Sequence, residues 1–279
     1  MADVGFDEEF SKLYNYIVAG DLPTHTKITK AVEALELSPG SIVLSVGDGT
    51  GEPGVRIARA LPKVRVISTD SSATMTAMAA NAAKDLDNVT AITVSGDDDD
   101  LADRCGLAKA SVDVVILSYS LMFVPDKAKC LTIARSLLKP GGHLFIAVIS
   151  RFGLVTAIGT AMTKLLGSTP PTPPLNPLSL ADPKLLHTLL SKAGFSKAPC
   201  EEEFQHPFPL GPSLEVTRKL CSMLVKEPLM RMTKSGHLDA VRVYEEAFMA
   251  AVDGYGYIKD GRCIVSSKDY VVRFLSCEK

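Results

Sequence analysis

Five short, nearly unbroken apolar runs, separated by helix-length stretches, constrain this chain more than any other feature. They are Ile42–Val46, Val64–Thr69, Thr90–Ser95, Val112–Ser118 and His143–Ile149. Each is rich in β-branched residues and shows little polar alternation, as strands covered on both faces do. Between them lie Glu52–Leu61, Ala73–Leu86, Leu101–Ala108 and Lys127–Leu138, all with helical spacing of apolar residues. In the last, Leu131, Ala134, Leu137 and Leu138 supply the buried stripe. Strand–helix alternation of this kind predicts a doubly wound α/β domain with a mostly parallel sheet and right-handed crossovers. The 279 residues suffice for one such domain with additions at both ends.

Those additions have a different pattern. Phe6, Phe10, Leu13, Tyr14, Ile17 and Val18 recur at helical spacing, as do Ile28, Ala31, Val32 and Leu35. Gly20–Pro23 separates these two helices, and Ser38-Pro39-Gly40 ends the second. After Ser150 the alternation stops. The segment STPPTPPLNP at 168–177 has five prolines in ten residues and reads as an irregular loop within one domain. A helix over Pro183–Ala193, a turn and strand in AGFSKAPCEEEF, mainly helical chain over 213–252 and a closing strand at Tyr270–Ser276 complete the reading. In the late helical stretch Val241, Tyr244, Phe248 and Val252 keep the period.

Composition excludes several classes. Thirty Lys and Arg against 32 Asp and Glu give a net charge of −2, with no clustered basic patch for nucleic acid or an anionic membrane. No apolar run approaches the roughly 18–20 residues of a membrane span. The acidic start MADVGFDEEFSKL lacks a basic-then-apolar targeting signal, so a cytoplasmic protein is expected. The six cysteines form no C-x-x-C pair and the five histidines are scattered, so reduced thiols and no metal site are expected.

The segment IVLSVGDGTGEPG carries the chemistry. A strand runs into Gly47, Gly49 and Gly51, and a helix is expected from about Glu52. Glycines in this position let the backbone turn tightly and a ligand approach it closely. Asp70 ends the next strand, 19 residues after Gly51. A carboxylate there can accept both hydroxyls of a ribose; its alternative is to cap the following helix. Together the two pieces point to an adenosine-containing ligand. A dinucleotide site would want a third glycine and a phosphate on the helix N-terminus, where this chain has Glu52. An acid there suits a phosphate-free, positively charged ligand such as S-adenosylmethionine.

In these residues the sequence resembles class I S-adenosylmethionine-dependent methyltransferases. The resemblance rests on VLSVGDGTGEPG, the Asp70 strand end, the GDDDDL turn and SLLKPGGHLFIAV, and covers about residues 40–150. It is nearest to the small-molecule branch of ubiquinone and menaquinone methyltransferases. It implies a seven-stranded, mostly parallel Rossmann-like sheet with N-terminal helices and a helical cap. Residues 1–40 would form a lid, 41–150 the cofactor core, 151–257 a substrate cap with a late strand, and 258–279 the closing strand. Gly47, Gly49 and Gly51 would line the methionine portion of the cofactor, Asp70 would hold its ribose hydroxyls, and the adjacent Ser71 is counted with the cofactor residues. Asp97 would accept from the adenine amino group, Asp98 beside it is counted with the cofactor residues, and Ser118 would face the transfer site. Leu138–Gly142 would be a structural turn. The family usually has an acid before the glycine loop where this chain has Ser45; Asp48, inside the loop, is the candidate substitute and is counted with the cofactor residues.

Methyl transfer from a sulfonium is an in-line displacement, so alignment matters more than a catalytic triad, and none is visible. A general base is required only where the nucleophile holds its proton tightly. The candidates are Tyr14, His25, Tyr119, Arg151 and His206, with Phe123 and Phe152 near the same strand ends. Each has a plainer role open to it: packing for Tyr14, a surface or capping role for His25, a loop charge for Arg151. The expected partner is a small-molecule methyl acceptor, with no nucleic acid and no membrane, and a monomer or homodimer. Two other readings stay open: a catalytically silent binding or scaffold protein, and a nucleotide-dependent oxidoreductase, which NADH binding would reveal.

Overall fold

The computed structural model of the chain describes residues 13–17, 21–170, 176–195 and 199–279. Phe6, Phe10 and Val18 of the first expected helix, and most of the proline run, lie outside the described residues. Residues 13–17 are helical, and helix α1 (Leu22–Glu33) follows. The alternating core is β1 (Ile42–Val46), α2 (Gly54–Ala60), β2 (Arg65–Asp70), α3 (Ala73–Ala82), β3 (Val89–Thr93), α4 (Leu101–Arg104), β4 (Val112–Ser118), α5 (Lys127–Leu137) and β5 (Leu138–Phe152). Beyond it come α6 (Gly153–Leu166), α7 (Pro183–Lys192), β6 (Cys200–Gln205), β7 (Phe208–Pro209), α8 (Leu214–Leu224), α9 (Lys226–Lys234), α10 (Ala240–Gly254), β8 (Ile258–Lys259), β9 (Arg262–Val265) and β10 (Tyr270–Glu278).

The main sheet has seven strands in the order β3-β2-β1-β4-β5-β10-β6. The first five are parallel, and β10 enters antiparallel between β5 and β6. The expected α/β class and the seven-stranded sheet are both found. β1 and β4 are neighbours in space but not in sequence, so strand order reverses between them. In open α/β sheets the crevice at the carboxyl ends of such strands is where ligands bind. Beneath it Val43, Leu44, Val66, Ile67, Val114, Val115, Ile116, Leu144 and Ile146 are buried. Full burial of one such side chain is worth roughly 1.5–3 kcal/mol, which makes this end of the sheet a rigid platform.

Several boundaries differ from the sequence reading for local reasons. α4 stops at Arg104, because Gly106 takes a left-handed φ of +62° that ends the turn. β5 begins at Leu138, since the Leu138–Gly142 segment pairs Leu138 with Val112 through a register shift and so joins the strand. α6 was not expected; its Leu154, Ala157, Ala161 and Met162 are buried on one face, and α10 packs against it. A second, three-stranded sheet, β7-β9-β8, is formed by chain between β6 and β10. The six cysteines are free thiols, and no helix among the described residues is long and apolar enough to cross a membrane.

Candidate active site

The turn after β1 is built from glycines that no other residue would replace comfortably. Gly47, Gly49 and Gly51 have φ of +67°, +59° and +103°. A side chain at Gly47 would run into Ser120, and one at Gly51 into Val55 and Ala79. Gly49 differs: a Cβ there meets nothing nearer than the Tyr14 ring at 3.8 Å. Its open face is the one a ligand can use, and Tyr14 lies over it.

Asp48 turns inward. It is buried, and its carboxylate accepts hydrogen bonds from the Ser45 and Ser68 hydroxyls at 2.6 and 2.7 Å and from the Gly54 N–H at 3.1 Å. Burial pushes its carboxyl up from the ordinary value, and those three bonds pull against the shift. Asp48 therefore braces the loop against β1, β2 and the start of α2 from below. The Ser45 that stands where an acid was expected is one of its donors. Glu52, which the sequence reading set at the helix N-terminus as a bare charge, is paired with Arg56 at 3.0 Å. Its charge is neutralised within the same turn and gives little ground for choosing between ligands.

Asp70 ends β2 beside the loop. Its carboxylate accepts from the Gly49 N–H at 3.0 Å and the Ser72 N–H at 2.9 Å. Burial raises its carboxyl, against these backbone donors. Ser71 is exposed at the same tip, while Ser72 caps α3 through a bond from the Met75 N–H. Beyond β3, the Asp97 carboxylate accepts from the Ser95 hydroxyl at 2.5 Å and the Asp126 N–H at 3.0 Å. Burial alone would raise its carboxyl, but these bonds and Lys129 leave it lowered. Asp98 accepts from the Ser95 N–H at 3.1 Å. Both acids stitch the β3 turn, while Asp99 pairs outward with Lys129.

The end of β4 carries buried polar atoms without partners. The hydroxyls of Ser118 and Ser120 are buried and unbonded, as are His25 Nδ1 and Asp21 Oδ2. Between the two serines, Tyr119 sits at a φ of +53°. Buried polar groups normally find partners, so these four atoms are candidates for contact with a polar ligand.

Five side chains, Asp21, Thr24, Tyr119, His206 and Tyr270, form one hydrogen-bonded network here. Asp21, 3% exposed, precedes α1. Its Oδ1 accepts from the Thr24 hydroxyl (2.9 Å), His206 Nε2 (3.0 Å) and the Tyr270 hydroxyl (3.0 Å). Tyr119 donates to Thr24 at 2.8 Å and lies 3.2 Å from the Tyr270 hydroxyl. His206 Nδ1 faces the Pro207 carbonyl at 3.1 Å, so both ring nitrogens meet acceptors. Burial works against a charged ring, yet the Asp21 bond and the Pro207 carbonyl outweigh it and hold the imidazolium pKa above its usual 6.5. Burial first, and acidic or phenolic neighbours second, push Tyr119 and Tyr270 well up. Tyr14 is pushed up to about 12 by burial, then Asp70, then Asp21, which sets it between Asp70 and this network.

Of the expected catalytic candidates, the structure brings together Tyr14, Tyr119 and His206, with His25 edge-on to Tyr119 at 6.5 Å. It does not bring Arg151, which is exposed and donates to the Lys268 carbonyl at 3.0 Å. Phe152 lines the network's flank against Phe208 and Tyr270, and Phe123 is exposed. Asp21, Thr24, Ser120 and Tyr270 were missed. Asp21 reads locally as a helix cap and Tyr270 as the start of a strand; nothing in their neighbours along the chain links them.

Comparison with known proteins now bears on this geometry. Residues 43–142 match the family profile described as "Methyltransferase domain". That segment is similar to known methyltransferase domains. It spans β1 to the start of β5, and so holds the glycine turn, Asp70, Asp97 and the whole end of β4. Among solved structures, the YcgJ protein from Bacillus subtilis is 12% identical, with a TM-score of 0.54 over 91% of this chain and 98% of its own. A Bacillus halodurans protein assigned as a methyltransferase is 17% identical, with a TM-score of 0.53 over 93% and 98%. The [4+2]-cyclase SpnF is 18% identical, with a TM-score of 0.51 over 91% and 80%. At these identities the likeness is one of fold, and a cyclase among the neighbours shows that the fold alone does not name a reaction. No curated protein matches the sequence. Tyr14, Asp21, Thr24, His25, His206 and Tyr270 lie outside the matched segment.

Proposed function

We propose that this chain transfers a methyl group from S-adenosylmethionine to a discrete small-molecule acceptor. The observation that carries this is the open face of Gly49 held beside Asp70 at the strand-order reversal, inside the segment that matches the methyltransferase-domain profile. When bound, the cofactor supplies a methyl group already activated by a positively charged sulfur. The chain's residues fit it. Gly47, Gly49 and Gly51 leave room along the backbone for the methionine portion, with Asp48 bracing them from beneath. Asp70, with Ser71 at the same tip, offers carboxylate oxygens to ribose hydroxyls. Asp97 and Asp98 stand one strand further, where an adenine amino group would donate. The unpartnered hydroxyl of Ser118 is buried at the transfer end.

The protein's task is then orientation and exclusion of water. Well-aligned groups gain roughly 7–11 kcal/mol over free encounter. Tyr14 covers the glycine turn, and the cap sets Phe152, Phe208 and Tyr270 beside the end of β4. Aromatic side chains gathered in this way suit a small acceptor, in keeping with the ubiquinone- and menaquinone-type branch. The reading includes a cytoplasmic monomer or homodimer without nucleic-acid or membrane partners.

Calorimetric titration with S-adenosylmethionine, S-adenosylhomocysteine and NADH tests it. Micromolar binding of the two adenosyl compounds, without NADH, is expected. NADH binding in their place would establish the oxidoreductase reading, and silence toward all three the scaffold reading.

A further inference from the structure

We propose that the groove between α1 and the β6–β10 edge of the main sheet binds a small aromatic monoanion, at a place separate from the glycine turn. The groove has a volume of about 520 Å³, within the range of small-molecule sites. Its helical wall holds Pro23, Lys27, Lys30 and Ala31, whose spacing of i, i+4, i+7 and i+8 is one stripe of α1. Glu202 and Phe204 of β6 and Phe274 of β10 form the other wall. Thr24 and His25, buried on the inward side of the same helix, belong to the site described above. One helix therefore has a candidate site on each side.

Charge selects the sign of the occupant. Lys27 Nζ lies 2.7 Å from the Glu202 carboxylate, which is thereby committed. Lys30, exposed one turn on, has no ion pair among the described residues. Two ammonium groups against one carboxylate leave the groove a single positive charge, which suits one negative charge and repels a cation. The rings select its shape. Lys27 Nζ stands 5.2 Å from the Phe204 ring centre and 5.8 Å from that of Phe274. Phe274 stacks on Phe145 at 5.7 Å with the planes 14° apart, and Phe145 stacks in turn with His143. A flat ring laid against Phe204 and Phe274 gains aromatic contact that an aliphatic acid does not. Its carboxylate then meets the spare charge of Lys30. Such an occupant touches both α1 and β6, the elements that the Asp21–His206 bond joins, and Phe204 itself lies along the His206 ring at 6.1 Å. Occupancy should therefore stiffen the attachment of α1.

The test uses the full chain, without cofactor, and 2-naphthoate as the probe, so it is read independently of the methyl-transfer reading. Calorimetry should show saturable binding with a Kd of about 1 mM or tighter, the scale for a ligand of this size. Naphthalene-2-carboxamide keeps the rings without the charge and should bind at least about threefold more weakly, the scale of an exposed ion pair. Lys30→Glu reverses the spare charge and should weaken 2-naphthoate by about fivefold or more. Because Lys30 is exposed, this variant should melt as the wild type does. Phe204→Ala should weaken the probe by about fivefold through the lost ring contact. Hydrogen exchange over residues 22–33 should slow when 2-naphthoate binds. Absence of saturable binding would overturn the proposal, as would binding that neither Lys30→Glu nor Phe204→Ala alters, which would put the probe elsewhere. Equal binding of the carboxamide would overturn the choice of an anion. Sedimentation showing self-association that Lys30→Glu abolishes, with no probe bound, would give the groove to a second copy of the chain instead.

Discussion

At the scale of single residues, the site depends on backbone that only glycine adopts and on carboxylates that face different ways. Asp70 and Asp48 show the contrast. Asp70 points along the ligand's side of the turn, so Asp70→Ala should weaken S-adenosylhomocysteine by about 1–3 kcal/mol, the scale of hydrogen bonds to charged groups, as read by calorimetry. Asp48 points beneath it. Asp48→Ala would strand the Ser45 and Ser68 hydroxyls and the Gly54 N–H. A drop in unfolding free energy of about 3 kcal/mol or more is expected from denaturant midpoints, since each buried unsatisfied group costs roughly 1–3 kcal/mol. Gly49→Val should cost roughly 1–2 kcal/mol for its left-handed backbone and put a branched side chain on the open face. It should abolish cofactor-product binding while the protein still melts cooperatively; normal binding would show that the ligand lies elsewhere.

At the scale of elements, what was legible followed local periodicity. The five core strands and their crossover helices were readable because buried parallel strands and amphipathic helices write their environment into consecutive residues. α6 was not readable, since its alternation of glycine, alanine and threonine with larger apolar residues carries no cap signal at Phe152. Caps that do carry a signal should be measurable. Asp126 accepts from the Lys129 N–H at 2.9 Å to start α5, so Asp126→Ala should cost about 1 kcal/mol, a fall of roughly 2–4 °C in melting temperature. The β3 turn has a pH signature of its own. The Asp97 carboxyl is lowered, so its contribution to stability is full above the ordinary 3.8 and is lost as pH falls through the lowered value. Acid titration followed by hydrogen exchange should show the segment 94–101 loosening in that window, and Asp97→Asn should remove the dependence.

At the scale of the whole molecule, the start of α1 is tied to the far edge of the sheet by a buried pair. Asp21 and His206 are 185 positions apart and meet at 3.0 Å. Because His206 is raised, its contribution to stability is full below 6.5 and is lost as pH rises through the raised value. Melting temperature followed from pH 6 to 9 should fall in that direction, and His206→Gln should flatten the trend; a wild type insensitive to pH there would mean the pair does not hold the lid. The same edge holds a second buried charge. Arg273 in β10, 6% exposed, donates to the Ala181 carbonyl and to Glu203 at 2.7 Å each. Its anchoring sets β10, and with it Tyr270, at the register that reaches Asp21.

The amino-acid sequence by itself determined the α/β class, the glycine turn, Asp70 and the acid run after the third strand. These are local: period, β-branching and glycine at strand ends are decided by residues within a turn or two of one another. Only the tertiary structure decided that Asp48 braces rather than faces the ligand, that Glu52 is neutralised by Arg56, and that Arg151 turns outward. It alone assembled Asp21, Thr24, Tyr119, His206 and Tyr270. Those residues come from the lid, the end of β4, the segment after β6 and the start of β10, and each locally obeys an ordinary structural rule. Their chemistry appears only where the antiparallel return of β10 and the closing of α1 bring separate chain segments to one dry point above the sheet.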